Sequence, residues 1–203
     1  MNTNRFSHIL LICCVTIAFG CQEKPKNSFA QNAHEESMRT FLVAMEKEKN
    51  RAEQFDSLFY GIHFKMTLPQ FHGHCNAMYK KGLFDGNNNY EVIINLKKGF
   101  EKPVDLIFSP TFDEPFIKLL KVRFSYTNSS VFDQKTGSDV LIEELLEEMM
   151  EWYGGSDFLE ISPKYPYEKP YYIKLDGNRK ITLKEGDSYR EVIALYEDLK
   201  PLY

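Results

Sequence analysis

Apolar and polar positions change rhythm several times along this chain, and each rhythm predicts an element. Met38, Phe41, Leu42 and Met45 recur at i, i+3, i+4 and i+7, the stripe of an amphipathic helix. The charged run from Glu46 to Gln54 continues it as a solvated face, so a helix is expected over 38–54. It should dock, because four apolar groups on one stripe would otherwise face water. Phe59–Phe64 reads as a short strand. Thr67-Leu-Pro-Gln70 has capping-box spacing with proline in the first turn, and so opens a helix. Leu68, Phe71, Cys75 and Met78 share one face of that helix, and Gly82 ends it. Three β-like runs follow: Tyr90–Leu96, Val104–Ser109 and Leu119–Thr127. In the last, Leu120, Val122, Phe124 and Tyr126 alternate with Lys121, Arg123 and Ser125, as in a half-buried strand.

The order then recurs. Ser138 is placed to cap a second helix, Asp139–Tyr153, whose Leu141, Ile142, Leu145, Leu146, Met149, Trp152 and Tyr153 form a wide apolar face. Gly154-Gly155 stops it. Phe158–Ser162, Tyr171–Leu175 and Arg179–Lys184 read as strands, with Asp176-Gly-Asn178 as a tight hairpin turn. Residues 189–199 fit two patterns. Ser188 and Glu191 have capping-box spacing, whereas Val192-Ile-Ala-Leu-Tyr196 suits a buried strand closing a meander on Ile181–Lys184, and the strand is favoured. The expected fold class is therefore α+β, with antiparallel sheets covered by helices. The order suggests two tandem helix-then-three-strand units inside one domain over 55–203.

The N-terminus carries a pattern of another kind. A short start with Arg5 leads into the apolar run His8–Phe19, then Gly20-Cys21, then the polar Gln22–Asn27. That run is shorter than the roughly 20 apolar residues a spanning helix needs. It resembles a bacterial lipoprotein signal peptide, in which a lipobox ends at the cysteine that becomes the acylated first residue. Gly20 and Cys21 match that box, while Ala18 and Phe19 stand where Leu and a small residue are usual. The resemblance implies a signal peptide over 1–20 and lipidation at Cys21 with palmitate-type chains. It also implies a protein held in the cell envelope by its lipid, at the outer membrane, on its periplasmic or surface side. The polar, aperiodic stretch that follows, with Pro25 and Asn27, reads as a flexible tether over 21–37. Further along, Gly61–Phe64 running into a capped helix resembles outer-membrane assembly lipoproteins and the β-lactamase-inhibitor fold. That is a likeness of architecture and carries no chemistry.

Composition narrows the function classes. The formal net charge is −4, and loss of Arg5 with the signal makes it one unit more negative. A mildly acidic, mixed-sign surface argues against nucleic acid as a partner, which calls for a basic stripe. Of the four cysteines, Cys13 and Cys14 would leave with the signal and Cys21 would be acylated. Only Cys75 then remains as a thiol, and the domain has to fold without an internal disulfide.

Candidate chemistry is sparse. His63, His72, His74 and Cys75 are the only clustered metal-type side chains, and of these His72 and Cys75 have helical ligand spacing. A metal site would need His63 to swing in from the preceding strand, and a thiol nucleophile would need Cys75 off the apolar face. Asp85-Gly-Asn87-Asn-Asn89 begins like a calcium loop but has Tyr90 and Leu96 where glycine and glutamate belong, and reads as a turn. Glu143, Glu144, Glu147, Glu148 and Glu151 fall between the apolar positions of the second helix, as a solvated face would. Tyr165, Tyr167 and Tyr171 lie in a proline-interleaved segment suited to partner contact. No residue is assigned a catalytic role and no cofactor is called for.

The expected function is a membrane-tethered, non-catalytic binding or envelope-assembly module with an envelope protein as partner. The alternatives are a hydrolase or metal-dependent enzyme using His63, His72 and Cys75, and a small-ligand pocket between helix and sheet lined by aromatics.

Overall fold

The computed structural model describes residues 28–86, 91–113, 115–127 and 136–200. The expected signal peptide, Cys21 and the first part of the expected tether lie outside them, as do residues 87–89 of the Asp85–Asn89 segment.

Three helices, α1 (Ser28–Lys49), α2 (Leu68–Lys80) and α3 (Ser138–Tyr153), accompany eight strands. These are β1 (Asp85–Gly86), β2 (Val92–Leu96), β3 (Val104–Asp113), β4 (Phe116–Tyr126), β5 (Leu159–Ile161), β6 (Tyr171–Asp176), β7 (Arg179–Glu185) and β8 (Glu191–Asp198). All pair antiparallel in one sheet of order β1-β2-β3-β4-β8-β7-β6-β5. The fold is α+β. Each helix-led unit has four strands rather than three, because Asp85–Gly86 adds an edge and 191–198 is a strand. Within each unit, successive strands are neighbours. The units join where their last strands, β4 and β8, pair from Leu119↔Glu197 to Ser125↔Glu191.

Side-chain alternation sorts residues to the two faces. The row Leu120, Tyr196, Ile181 crosses β4, β8 and β7 in register and is fully buried. So is the row Val122, Ala194, Leu183. Both lie under α3, whose Leu141, Leu145 and Met149 are completely buried in the same core. Phe71 of α2 joins this core edge-on to Phe108 of β3, which also meets Phe59 and Phe84 in the same manner. Such edge-to-face contacts add about 0.5–1.5 kcal/mol beyond burial. On the opposite face, α1 covers β5 and β6, with Met38, Phe41, Ala44 and Met45 packed on Ile161, Ile173 and Leu175.

Several elements differ from the sequence-based expectation. Helix α1 begins at Ser28 and ends at Lys49, so residues 28–37 are helix and not tether. They are held by polar contacts: His34 Nδ1 lies 2.7 Å from the Ser162 carbonyl, and Ser37 Oγ accepts from the Ser162 amide. Leu42 lies off the docked stripe and is half exposed. Residues 59–64 form a tight reversal, with Tyr60 and Gly61 at positive φ and only an isolated bridge from Ser57 to His63. Ile62, Phe64 and Met66 still alternate inward, which is why the segment reads as a strand. Helix α2 has the full capping box between Thr67 and Gln70. Leu68, assigned to its apolar face, is exposed. Helix α3 is capped by Gly137 without a side-chain bond, not by Ser138, which is buried in its first turn.

Candidate functional site

The histidine–cysteine group does not converge. His63 Nδ1 is 2.7 Å from the Phe64 carbonyl, and His74 Nε2 is 2.7 Å from that of Tyr60. His72 is exposed beside the Phe71 ring. Cys75 packs with Met78 against the main core, and burial pushes its thiol up to about 11. A thiol so disposed is a small hydrophobe rather than a nucleophile. Among the described residues no three His, Cys, Asp or Glu side chains are grouped to hold a metal ion.

The proline–tyrosine segment splits. Tyr165 and Tyr167 stack in parallel with centroids 5.5 Å apart, and Tyr167 is 81% exposed. Tyr171 instead begins β6 and packs half-buried on α1, its hydroxyl 3.8 Å from the Met38 sulfur. It belongs to the fold.

A cleft of about 740 Å³ lies between α3, the β2–β3 loop and the 57–60 reversal. Leu58, Phe59 and Leu96 form its apolar floor. Tyr60 and Trp152 stand at its walls, Lys97 and Lys98 occupy the loop rim, and Glu148 and Glu151 occupy the helix rim. Gly99 positions the loop. Its φ of +84° suits glycine, and a Cβ there would collide with the Glu148 carboxylate.

The glutamates of α3 are therefore not uniformly solvated. Glu143, Glu147 and Glu151 are exposed, but Glu144 and Glu148 are half-buried under the β2–β3 loop. Glu144 accepts from the Tyr126 hydroxyl at 2.7 Å and from the Glu101 amide at 3.0 Å. Burial, reinforced by Glu144, raises the Tyr126 phenol far above its ordinary value. Glu144→Ala should cost about 1–3 kcal/mol in denaturant melts, since the buried hydroxyl loses its acceptor. A change within about 0.5 kcal/mol would restore the view of a purely solvated face.

Glu148 accepts from Trp152 Nε1 at 3.1 Å. Its carboxyl is raised above the ordinary value, first by burial and then by the charge of Glu151, with Glu144 and Glu147 adding to it. A carboxyl raised on folding contributes stability below its unfolded value near 4.5 and loses it as pH rises through the folded value. Glu148→Gln should accordingly melt slightly higher than wild type at neutral pH, by no more than about 0.5 kcal/mol. The difference should close on acidification, and a difference that widened instead would show the carboxylate to be stabilised by the fold.

A second polar cluster is buried beneath the C-terminal end of α3. Lys174 pairs with Ile181 and so extends the core row Leu120–Tyr196–Ile181 with a fully buried cation. It donates to the Ser156 carbonyl and lies 3.5 Å from Asp176. Arg179 reaches Asp176 at 3.0 Å and the Ser57 carbonyl at 2.7 Å, and stacks 4.3 Å over the Tyr153 ring. Two cations at a helix C-terminus complement its partial negative charge. Desolvation lowers the Lys174 ammonium, against the pull of Asp176. From the other side, Glu48 of α1 accepts the Gly177 amide at 2.7 Å. Gly177 has φ +56°, and a Cβ there would meet the Glu53 carbonyl at 2.6 Å. This cluster ties α1, the β6–β7 turn and α3 together. Arg179 Nε is buried without a hydrogen-bond partner, but Asp176 is engaged by both cations, so the cluster reads as a structural knot.

Sequence patterning missed both features. Lys97, Lys98 and the glutamates look like ordinary surface charge, and Lys174 and Arg179 look like the polar positions of edge strands. The one available signal was the chain's single tryptophan amid the glutamates of α3.

No protein-family model, curated protein or solved structure matches this chain.

Proposed function

We propose that this chain is a lipid-anchored protein of the bacterial cell envelope whose α+β domain is a non-catalytic binding module, with the α3/β2–β3 cleft as its ligand site. The cleft is the observation that carries the binding reading. Its volume falls in the range of small-molecule and peptide sites, about 300–1,000 Å³, and it combines an apolar floor with a few polar groups on its rims. Packing of half-buried Cys75 against the core, with His63 and His74 engaged by backbone carbonyls, supports binding over hydrolysis or metal chemistry. The anchoring reading rests on the Gly20-Cys21 boundary after a short apolar run. No helix among the described residues is long and apolar enough to cross a membrane. Each buried methylene contributes about 0.8 kcal/mol, and two or more acyl chains make such an anchor stable. An envelope protein carrying the ligand group is the expected partner.

Fractionation and mass spectrometry test the anchor. The mature chain should begin with acylated Cys21 and sediment with membranes, and Cys21→Ser should move it to the soluble fraction. A mature chain starting elsewhere without lipid would refute the anchoring reading. Pull-down from intact membranes should recover a partner that Glu151→Gln weakens, and equal recovery by that variant would remove the cleft from the reading.

A further inference from the structure

The two rims of the cleft carry opposite charges that do not meet. Lys97 and Lys98 on the loop and Glu151 on α3 form no ion pair within 4.0 Å among the described residues, although all three line the same space. Across a gap of this kind, mutual attraction falls short of what a bridging ligand with matching ends would gain. Glu148 sits deeper on the acidic side, with the Trp152 N–H as its donor and the Gly99 backbone against its carboxylate. Glu144, Glu147 and Glu151 surround it with like charge, and no side-chain cation offsets Glu148 within ion-pair distance among the described residues. The indole of Trp152 and the half-exposed ring of Tyr60 line the same cleft. Aromatic faces of this kind attract ammonium and guanidinium groups. The floor of Leu58, Phe59 and Leu96 is apolar and suits the carbon skeleton between two charged ends.

We infer that the cleft binds a short zwitterionic peptide, with its amino group between Glu148 and Glu151 beside Trp152 and its carboxylate at Lys97 and Lys98. This inference rests on the reading of the chain as a binding module and names the ligand class for that site. It commits to both charged ends. A ligand with the amine alone would leave the lysine rim unused, and one with the carboxylate alone would face the glutamates.

Trp152 makes the site self-reporting, because it is the only tryptophan in the chain and donates directly to Glu148. The experiment is a fluorescence titration of the complete mature protein with the dipeptide L-alanyl-L-alanine. Putrescine serves as the amine-only probe, glutarate as the acid-only probe and N-acetylalaninamide as the uncharged one. A saturable change with the dipeptide is expected, with each single-ended probe weaker by roughly tenfold or more and the uncharged probe silent. Glu151→Gln should weaken the dipeptide by a similar factor and leave glutarate no weaker. Lys97→Gln with Lys98→Gln should weaken the dipeptide and leave putrescine no weaker. All three positions are exposed, and an unchanged melting curve shows that these variants fold. The inference is overturned by silence of Trp152 toward the dipeptide, by equal response to the uncharged probe, or by variants that bind as wild type does. Silence alongside an acylated Cys21 and a partner recovered through the cleft would reject the ligand class while leaving the module reading intact.

Discussion

Asp176→Ala should destabilise the domain by about 3–5 kcal/mol, the loss expected when one partner of a buried ion pair is removed. Among the described residues Asp176 is the only carboxylate within ion-pair distance of both Lys174 and Arg179, and all three are at most 3% exposed. Without it, neither cation keeps a carboxylate within ion-pair distance among the described residues, and the Ser156 amide loses its acceptor. The effect should be read in urea as a fall in midpoint with little change in slope. A loss below about 1 kcal/mol would mean that water reaches the cluster and that burial there is nominal. The knot also joins α1 to the sheet through Glu48 and Gly177. Protease cleavage between α1 and the domain should therefore rise in Asp176→Ala before global unfolding does.

Leu145→Ala is expected to cost about 2–5 kcal/mol, from lost transfer free energy plus the cavity left behind. Leu145 is fully buried at the middle of α3, over the seam of β4, β8 and β7. Both halves of the sheet contribute to the core around it, so little backbone is free to collapse into the void. Thermal or denaturant melts that placed Leu145→Ala within about 0.5 kcal/mol of wild type would mean that α3 presents a different face.

How much could be read from sequence follows from the range over which each determinant acts. The Thr67–Gln70 capping box is complete within one turn, so α2 was legible residue by residue. The strand from Glu191 to Asp198 was favoured because its apolar run suits burial between two neighbours, which β4 and β7 supply. The strand expected over Phe59–Phe64 is a tight reversal instead, and Ile62 and Phe64 alternate inward all the same, since burial can have period two in a reversal pinned by other contacts as well as in a ladder. Residues 28–37 escaped notice because their docking uses His34 and Ser37 on a distant carbonyl and amide, which leave no apolar stripe. The buried charges were illegible for the same reason. Lys174 is identical in sequence context to a surface lysine, and only its register opposite Ile181 sends it inward. At the site, His63, His72 and Cys75 attracted attention by residue type alone. The cleft depends on Gly99 bringing a loop against α3, a contact between positions far apart in the chain.

The junction of β4 with β8 has a consequence for how the protein is made. The two units share one sheet only through β8, which is the last strand in chain order and completes the pairing of both β4 and β7. A chain emerging from its N-terminus must hold the first unit with an open edge at β4 until β8 arrives. Contacts of such long sequence separation form slowly, because loop closure precedes any gain from pairing. During that interval the amide and carbonyl groups of that edge have no strand to pair with. The same open β4 edge is the point at which a stalled molecule would recruit a strand from its neighbour, so timely delivery of the C-terminal strand decides between closure and aggregation.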